Sequence, residues 1–203
     1  MIAGCNKITK IETVEEYLSW LNTEKNGLLK TRYINGFKIS VKYLPQDYIV
    51  YQELDKEKSI SEENADSLLK KYEKSLTFIM TIGPDERERE GGDIMFQGVK
   101  NYKEYKERFY DLNFDIENKV ALKTMKNTYN PALAAVENIY GLNPGRNIIL
   151  VFVPTDIDQE DFYSSQKIDL VFDDDLFDTG ISHFVFKRTD INNIPEFNFL
   201  SNN

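Results

Sequence analysis

Leu28-Leu29-Lys30-Thr31-Arg32-Tyr33-Ile34-Asn35-Gly36-Phe37-Lys38-Ile39-Ser40-Val41-Lys42-Tyr43 is the stretch that decides the fold. Asn35-Gly36 is the strongest turn signal in the chain, because a type I′ turn needs positive φ at both central residues. After the turn, apolar residues alternate with polar ones as far as Tyr43, which predicts an amphipathic strand. The preceding strand alternates less cleanly. A strict two-residue loop would place Arg32 opposite Ile39, so the pattern also allows a bulge or a longer loop.

Helical patterns flank this hairpin in the sequence. Thr13 and Glu16 form the T-x-x-E pattern of a capping box, and apolar residues follow at helical spacing. Gly27 can close this helix. Further helices are predicted from Pro45 to Leu54 and from Ser61 onward.

Another helix is predicted to begin at Asn101. Its apolar residues recur at helical spacing and form a single stripe, which favours one apolar face. The residues of this stripe are Tyr102, Tyr105, Phe109 and Leu112.

The remaining apolar runs predict strands. The run 148–153 is continuous, which is typical of a central strand covered on both faces. Other strands are predicted at 76–82, 120–125, 168–172 and 181–186, the last two forming a hairpin. Helices and hairpins are mixed without a regular β-α-β rhythm. This order favours an α+β fold, an antiparallel or mixed sheet with helices mainly on one face, in a single domain over residues 13–203.

Composition excludes several functional classes. The 203 residues carry a net charge of −9, and no basic stripe interleaved with aromatic residues is present, which argues against nucleic-acid binding. Cys5 is the only cysteine, so intramolecular disulfides and thiolate zinc sites are excluded. His183 is the only histidine, which excludes clusters of imidazole ligands, and we interpret it as a hydrogen-bonded structural residue.

The negative charge is concentrated between Thr155 and Gly180. Nine carboxylates face one base there, so this segment carries −8 of the net −9. Such asymmetry is usual in solvated loops, and it also suits a cation site or a docking surface for a basic partner. The candidate residues for this surface are Asp156, Asp158, Glu160, Asp161, Asp173, Asp174, Asp175 and Asp178.

Two motifs in the acidic segment match only part of the sequence pattern that their usual function requires. Asp178-Thr179-Gly180 is the signature triplet of aspartic proteases, but it occurs once, and a β-turn explains the same residues. The run 156–161 begins like an EF-hand loop, yet Asp161 stands where glycine is required and Lys167 where glutamate is required. A looser Ca²⁺ site combining this run with Asp173–Asp178 remains open. No catalytic residue is assigned, and the metal question stays undecided.

The chain opens with Ile2-Ala3-Gly4-Cys5, which resembles the lipobox of bacterial lipoproteins. In that family the cysteine thiol takes up a diacylglyceryl group, and several acyl chains at one residue give stable anchoring. The resemblance implies lipidation of Cys5, a signal-peptide remnant and tether over residues 1–12, and a location on the non-cytoplasmic side of a membrane. A complete signal peptide would also contain an apolar stretch ahead of Met1. The alternative is a cytoplasmic protein with an ordinary N-terminal cysteine.

The function predicted from these features is a membrane-anchored, non-enzymatic module that binds a protein or envelope component. Its expected contact surface is the acidic segment 155–180, with exposed Tyr and Phe residues as anchors. One alternative is a carboxylate-dependent hydrolase acting on glycans, which needs two carboxyl groups at the right separation. Another is a cytoplasmic acidic protein that neutralises a basic partner.

Overall fold

The computed structural model describes residues 10–57, 62–87, 92–137 and 143–197. Cys5 and the helix start predicted at Ser61 lie outside the described residues.

The described residues form two antiparallel sheets, and the predicted α+β class is confirmed. The strands in chain order are β1 Leu29–Ile34, β2 Phe37–Leu44, β3 Leu76–Pro84, β4 Val120–Lys123, β5 Thr128–Tyr129, β6 Leu133–Val136, β7 Arg146–Phe152, β8 Lys167–Asp174 and β9 Gly180–Lys187. Sheet 1 has the order β1-β2-β3-β7-β6, and sheet 2 has the order β5-β4-β8-β9. The sequence predicted one sheet and did not separate these two.

The β1–β2 hairpin has the strict two-residue loop. Ile34 pairs with Phe37, and Asn35 and Gly36 both have positive φ, 50° and 80°. Arg32 does stand opposite the buried Ile39. The edge position of β1 accommodates the cation, because the Arg32 side chain reaches out to β9 and donates from Nε to the His183 carbonyl at 3.0 Å. No bulge is needed.

The two sheets share one hydrophobic core. Phe78 of β3 contacts Phe186 of β9 with ring centroids 5.1 Å apart, and Phe37 contacts Phe177 at 5.0 Å. In each strand, alternate residues face this core. Strand β7, which contains most of the apolar run 148–153, follows the same alternation. It is an inner strand that is buried on one face and only partly covered on the other. The prediction that both faces are fully covered is therefore wrong.

Helices and turns close the ends of the two sheets. The helices are α1 Val14–Leu21, α2 Gln46–Glu57, α3 Glu62–Tyr72, α4 Tyr102–Tyr110, α5 Ile116–Lys119, α6 Gln159–Ser164 and α7 Arg188–Ile191, with a π-helical turn, Asp111–Asp115, between α4 and α5. Thr13 caps α1 by accepting from the Glu16 N–H at 3.2 Å. Gly27 closes a following 3₁₀ turn and not α1, which ends at Leu21. Among the described residues, no helix is long and apolar enough to cross a membrane.

The folded chain starts earlier than predicted. Lys10 forms a parallel bridge with Glu196, and the Ile11 N–H donates to the Glu196 carbonyl at 3.3 Å. The Ile11 side chain is buried in the core. Residues 10 and 11 therefore contact the fold, although they lie within the stretch 1–12 that the sequence assigned to a signal-peptide remnant and tether.

Candidate functional site

The outer side of α4 carries aromatic residues that the sequence pattern assigned to a single apolar face. Tyr102 is 75% exposed and Phe109 is 47% exposed, whereas Leu112 is buried. Nothing in α4 itself is fully buried. The amphipathic stripe thus exists but faces solvent over most of its length.

Three aromatic rings are stacked on this surface. The Tyr105 ring lies 5.3 Å from Phe96, at an interplanar angle of 13°, and 6.3 Å from Tyr102, at 18°. Phe96 is 65% exposed, while Tyr105 is partly buried and packs against the core. We call Phe96, Tyr102, Tyr105 and Phe109 the aromatic patch. Its outer rings, Phe96 and Tyr102, both stack against Tyr105 and remain largely exposed.

Arg108 explains why the stripe is rotated outward. Its guanidinium occupies the inner side of α4 and donates to the main-chain oxygens of Ile94 at 2.7 Å and Gln97 at 2.6 Å. It also lies over the Phe177 ring, 5.0 Å from the centroid. These contacts fix α4 with Arg108 inward, because an arginine that satisfies several buried carbonyls cannot be exchanged for an aromatic ring without leaving them unpaired.

The aromatic patch has a basic surround in an otherwise acidic chain. Lys100, Lys103 and Lys106 are exposed at or near the start of α4. Lys106 Nζ lies 5.9 Å from the Tyr102 ring centroid, and Lys103 pairs with Glu107 at 3.6 Å. The patch therefore combines apolar ring surface with a rim of cations.

The predicted acidic surface is divided between two places. Asp156, Asp158, Glu160 and Asp161 lie at and just before α6, whereas Asp173, Asp174, Asp175 and Asp178 lie at the tip of the β8–β9 hairpin. Residues 167–172 of strand β8 separate the two groups, roughly 20 Å at about 3.3 Å per residue. The structure does not bring them together into one cation site. Among the described residues, no group of three or more His, Cys, Asp or Glu side chains is arranged to hold a metal ion.

Asp174 is buried, which corrects its prediction as a surface residue. Its carboxylate accepts from the N–H groups of Leu176 at 2.9 Å, Phe177 at 3.1 Å and Thr179 at 3.0 Å, and from the Thr179 hydroxyl at 2.5 Å. The Asp-Thr-Gly triplet is thus part of the hairpin turn, and Asp178 has a positive φ of 57° there. Asp174 organises the loop and is not available to a partner.

Asp161 is also engaged within the fold. Its carboxylate accepts from the hydroxyls of Thr124 and Ser165 and from the Asn127 amide at 2.9 Å, which joins α6 to the β4–β5 turn. Burial raises the pKa of this carboxyl, but the hydrogen bonds outweigh burial and lower the pKa below its usual value. This acid is therefore a structural residue as well.

Of the other acidic residues, some make local contacts and the rest are exposed to solvent. Asp158 accepts from the Thr155 N–H at 2.7 Å, and Asp175 pairs with Lys119 at 2.5 Å, which lowers the Asp175 pKa. Asp156, Glu160, Asp173 and Asp178 are exposed. The acidic segment is thus two small exposed clusters around buried structural carboxylates.

His183 lies on the open face of sheet 2. Its Nδ1 is 2.7 Å from the Asp169 carboxylate, as expected for a hydrogen-bonded structural histidine.

No family model and no curated protein matches this chain. Among solved structures, it is similar to the crystal structure of a protein of unknown function from Burkholderia pseudomallei K96243, with 12% sequence identity. The likeness covers 87% of this chain and 84% of the other, at a TM-score of 0.40. A similarity at that level carries no argument about function.

Proposed function

We propose that this protein is a non-enzymatic binding module, tethered through Cys5 on the non-cytoplasmic side of a bacterial membrane, and that it binds a protein partner on the aromatic patch. The observation that carries the proposal is the solvent-facing aromatic stripe of α4. The lipobox resemblance at Cys5 is the support for the tether.

The aromatic patch has the composition of a protein interface. Three of the seven exposed aromatic residues of the described chain, Phe96, Tyr102 and Phe109, belong to this patch, and two more, Tyr110 and Phe114, follow it in the sequence. Aromatic residues are enriched at the centres of interfaces, where a few of them contribute most of the binding energy. Burying one such ring contributes about 1.5–3 kcal/mol, so Phe96 and Tyr102 together offer several kcal/mol to a partner that covers both.

The surrounding charge indicates the kind of partner. Lys103 is paired with Glu107, so the exposed Lys100 and Lys106 supply the positive charge beside the rings. These two cations favour a partner surface that is apolar at its centre and acidic beside it. The acidic segment is a weaker contact surface than the sequence indicated, because Asp161 and Asp174 are used inside the fold. We therefore propose an acidic partner surface at the aromatic patch, while a basic partner for the acidic segment remains the alternative drawn from the sequence.

Site-specific photocrosslinking tests the binding surface. A benzophenone amino acid at Tyr102 should give one discrete adduct in cells, whereas the same probe at Tyr163 in α6, also an exposed tyrosine, should give none. The purified partner should then bind the chain at least tenfold more weakly after Phe96→Ser or Tyr102→Ser and unchanged after Tyr163→Ser. Equal adducts at both positions, or binding unaffected by Phe96→Ser and Tyr102→Ser, would contradict the proposal.

The tether is tested separately. Mass analysis of the native protein should find acyl chains on Cys5, and Cys5→Ser should move the protein from the membrane fraction to the supernatant. Native protein that carries no fatty acid would exclude the anchor without affecting the binding surface.

A further inference from the structure

A second site lies on the outer face of sheet 1 and shares no lining residue with the aromatic patch. It is a cleft of about 540 Å³, within the range of small-ligand sites, and it opens above the ends of β2, β3 and β7. Its polar lining is Lys38, Ser40, Thr81, Glu86 and Asn143, and Asn143 Oδ1 accepts from the Gly145 N–H at 3.0 Å.

The floor of the cleft is bare backbone. Gly83 follows Thr81 by two residues on the same face of β3, and the ideal Cβ of Gly83 would lie 3.8 Å from the Gly145 Cα of the neighbouring chain segment. Two adjacent positions thus lack side chains. Pro84 and Pro144 border this floor and add flat C–H surface. A ligand ring can lie on such a floor with no side chain beneath it.

The hydrogen-bonding groups beside the floor are partly fixed. Thr81 Oγ1 donates to Asn147 Oδ1 at 2.8 Å, and Asn147 Nδ2 donates to Glu137 Oε2 at 2.8 Å. Because its only proton is used, Thr81 Oγ1 presents lone pairs to a ligand. Ser40 is the cross-strand partner of Thr81, and its hydroxyl can both donate and accept.

The walls add one charge of each sign. Lys38 and Glu86 make no side-chain hydrogen bond or ion pair to any other residue that the structure describes. Together with Ser40 and Thr81 they offer donors and acceptors with no net charge. Glu86 would repel an anionic ligand and Lys38 would repel a cationic one. The lining therefore favours a neutral ligand whose polar groups can both donate and accept hydrogen bonds.

We infer that this cleft binds a neutral carbohydrate, its ring lying over Gly83 and Gly145 and its hydroxyls bonded to Lys38, Ser40, Thr81 and Glu86. The inference does not depend on the aromatic patch or on the tether.

The experiment uses the whole chain and three neutral disaccharides, cellobiose, maltose and N,N′-diacetylchitobiose, followed by ¹H–¹⁵N chemical-shift titration. At least one sugar should shift the amides of the cleft residues. Gly83→Val, whose Cβ would make only the ordinary 3.8 Å contact with the Gly145 Cα, places a side chain on the floor and should weaken binding at least tenfold. Gly92→Val is the matched control, because its Cβ meets nothing within 4 Å and it does not line the cleft.

A second variant tests the same site without changing position 83, where a substitution could disturb the fold. Ser40→Ala should weaken sugar binding roughly fivefold, the effect of one hydrogen bond. Phe96→Ser should leave sugar binding unchanged, which separates this site from the aromatic patch. Absence of binding by all three sugars would overturn the inference. It would also be overturned if free glutamate, a charged probe, bound in a Lys38-dependent way while the sugars did not.

Discussion

Asn35 Nδ2 donates a 2.6 Å hydrogen bond to the main-chain oxygen of Asp178, so the turn of the β1–β2 hairpin is tied to the tip of the β8–β9 hairpin. These two residues are also the non-glycine positions of the described chain with positive φ. The Gly36 carbonyl beside them accepts from the Asp85 N–H at 2.8 Å and from the Gln97 amide at 3.2 Å. The two sheets are thus joined at their turns as well as through the core.

Asn35→Asp should destabilise the protein by about 1–2 kcal/mol, because it removes the donor and brings a carboxylate against the Asp178 carbonyl. Asn35→Gly loses the same hydrogen bond but adopts positive φ without strain, so its cost should be smaller. Urea unfolding followed by circular dichroism measures both. If both variants were as stable as the natural chain, the link to Asp178 would contribute nothing.

Asp174→Ala should destabilise the protein by about 3 kcal/mol, since it leaves the N–H groups of a buried turn without an acceptor. Asp173→Ala is the matched control. Asp173 precedes Asp174 in the same strand but is exposed, and its substitution should change the free energy of unfolding by about 0.5 kcal/mol or less. Chemical denaturation of both variants provides the comparison, and similar losses would refute the structural role given to Asp174.

Arg108→Met should cost about 2–4 kcal/mol, because the carbonyls of Ile94 and Gln97 lose a charged donor while the side-chain volume is roughly kept. Lys106→Met, two residues earlier on the exposed side of α4, should be close to neutral. The difference in urea midpoint between these variants is the measurement. If Arg108→Met were as stable as Lys106→Met, the explanation for the outward rotation of the aromatic stripe would be wrong.

Asp161 should make stability depend on pH. Its pKa is lowered in the folded protein, so its contribution is fully present above the unfolded value of 3.8 and is lost as the pH falls below that value toward the folded pKa. Asp161→Asn should therefore be less stable than the natural chain at pH 7, with a gap that narrows on acidification. Urea midpoints measured between about pH 2 and pH 7 test this. A gap that stays constant would mean that Asp161 has the same pKa in both states.

Local signals predicted local structure well. The Asn35-Gly36 turn, the Thr13 cap and the helix beginning after Asn101 each depend on residues within four positions of one another, and all three are present. The assignment of strands to two packed sheets could not be predicted in this way. The contact between Phe78 and Phe186 joins residues more than a hundred positions apart, and no periodicity in either strand identifies the partner sheet.

The site was harder to predict for two physical reasons. An apolar stripe shows that a helix has an apolar side, but a tertiary contact of Arg108 decides which side faces the core. Within Asp173-Asp174-Asp175, the three side chains are chemically identical, so composition cannot show which of them turns inward. The two-residue period of β8 is the signal that could have identified Asp174, since it lies on the same face as Leu170 and Phe172, although the buried Val171 interrupts the burial pattern.

The edge of sheet 1 has a further consequence. Lys30 and Arg32 stand opposite the buried residues Val41 and Ile39, so β1 directs two cations toward the gap between the sheets. A foreign strand that added to this edge would extend the sheet over charges that resist dehydration. Fibre-like stacking of neighbouring copies along β1 is disfavoured for that reason, even where many molecules are crowded together.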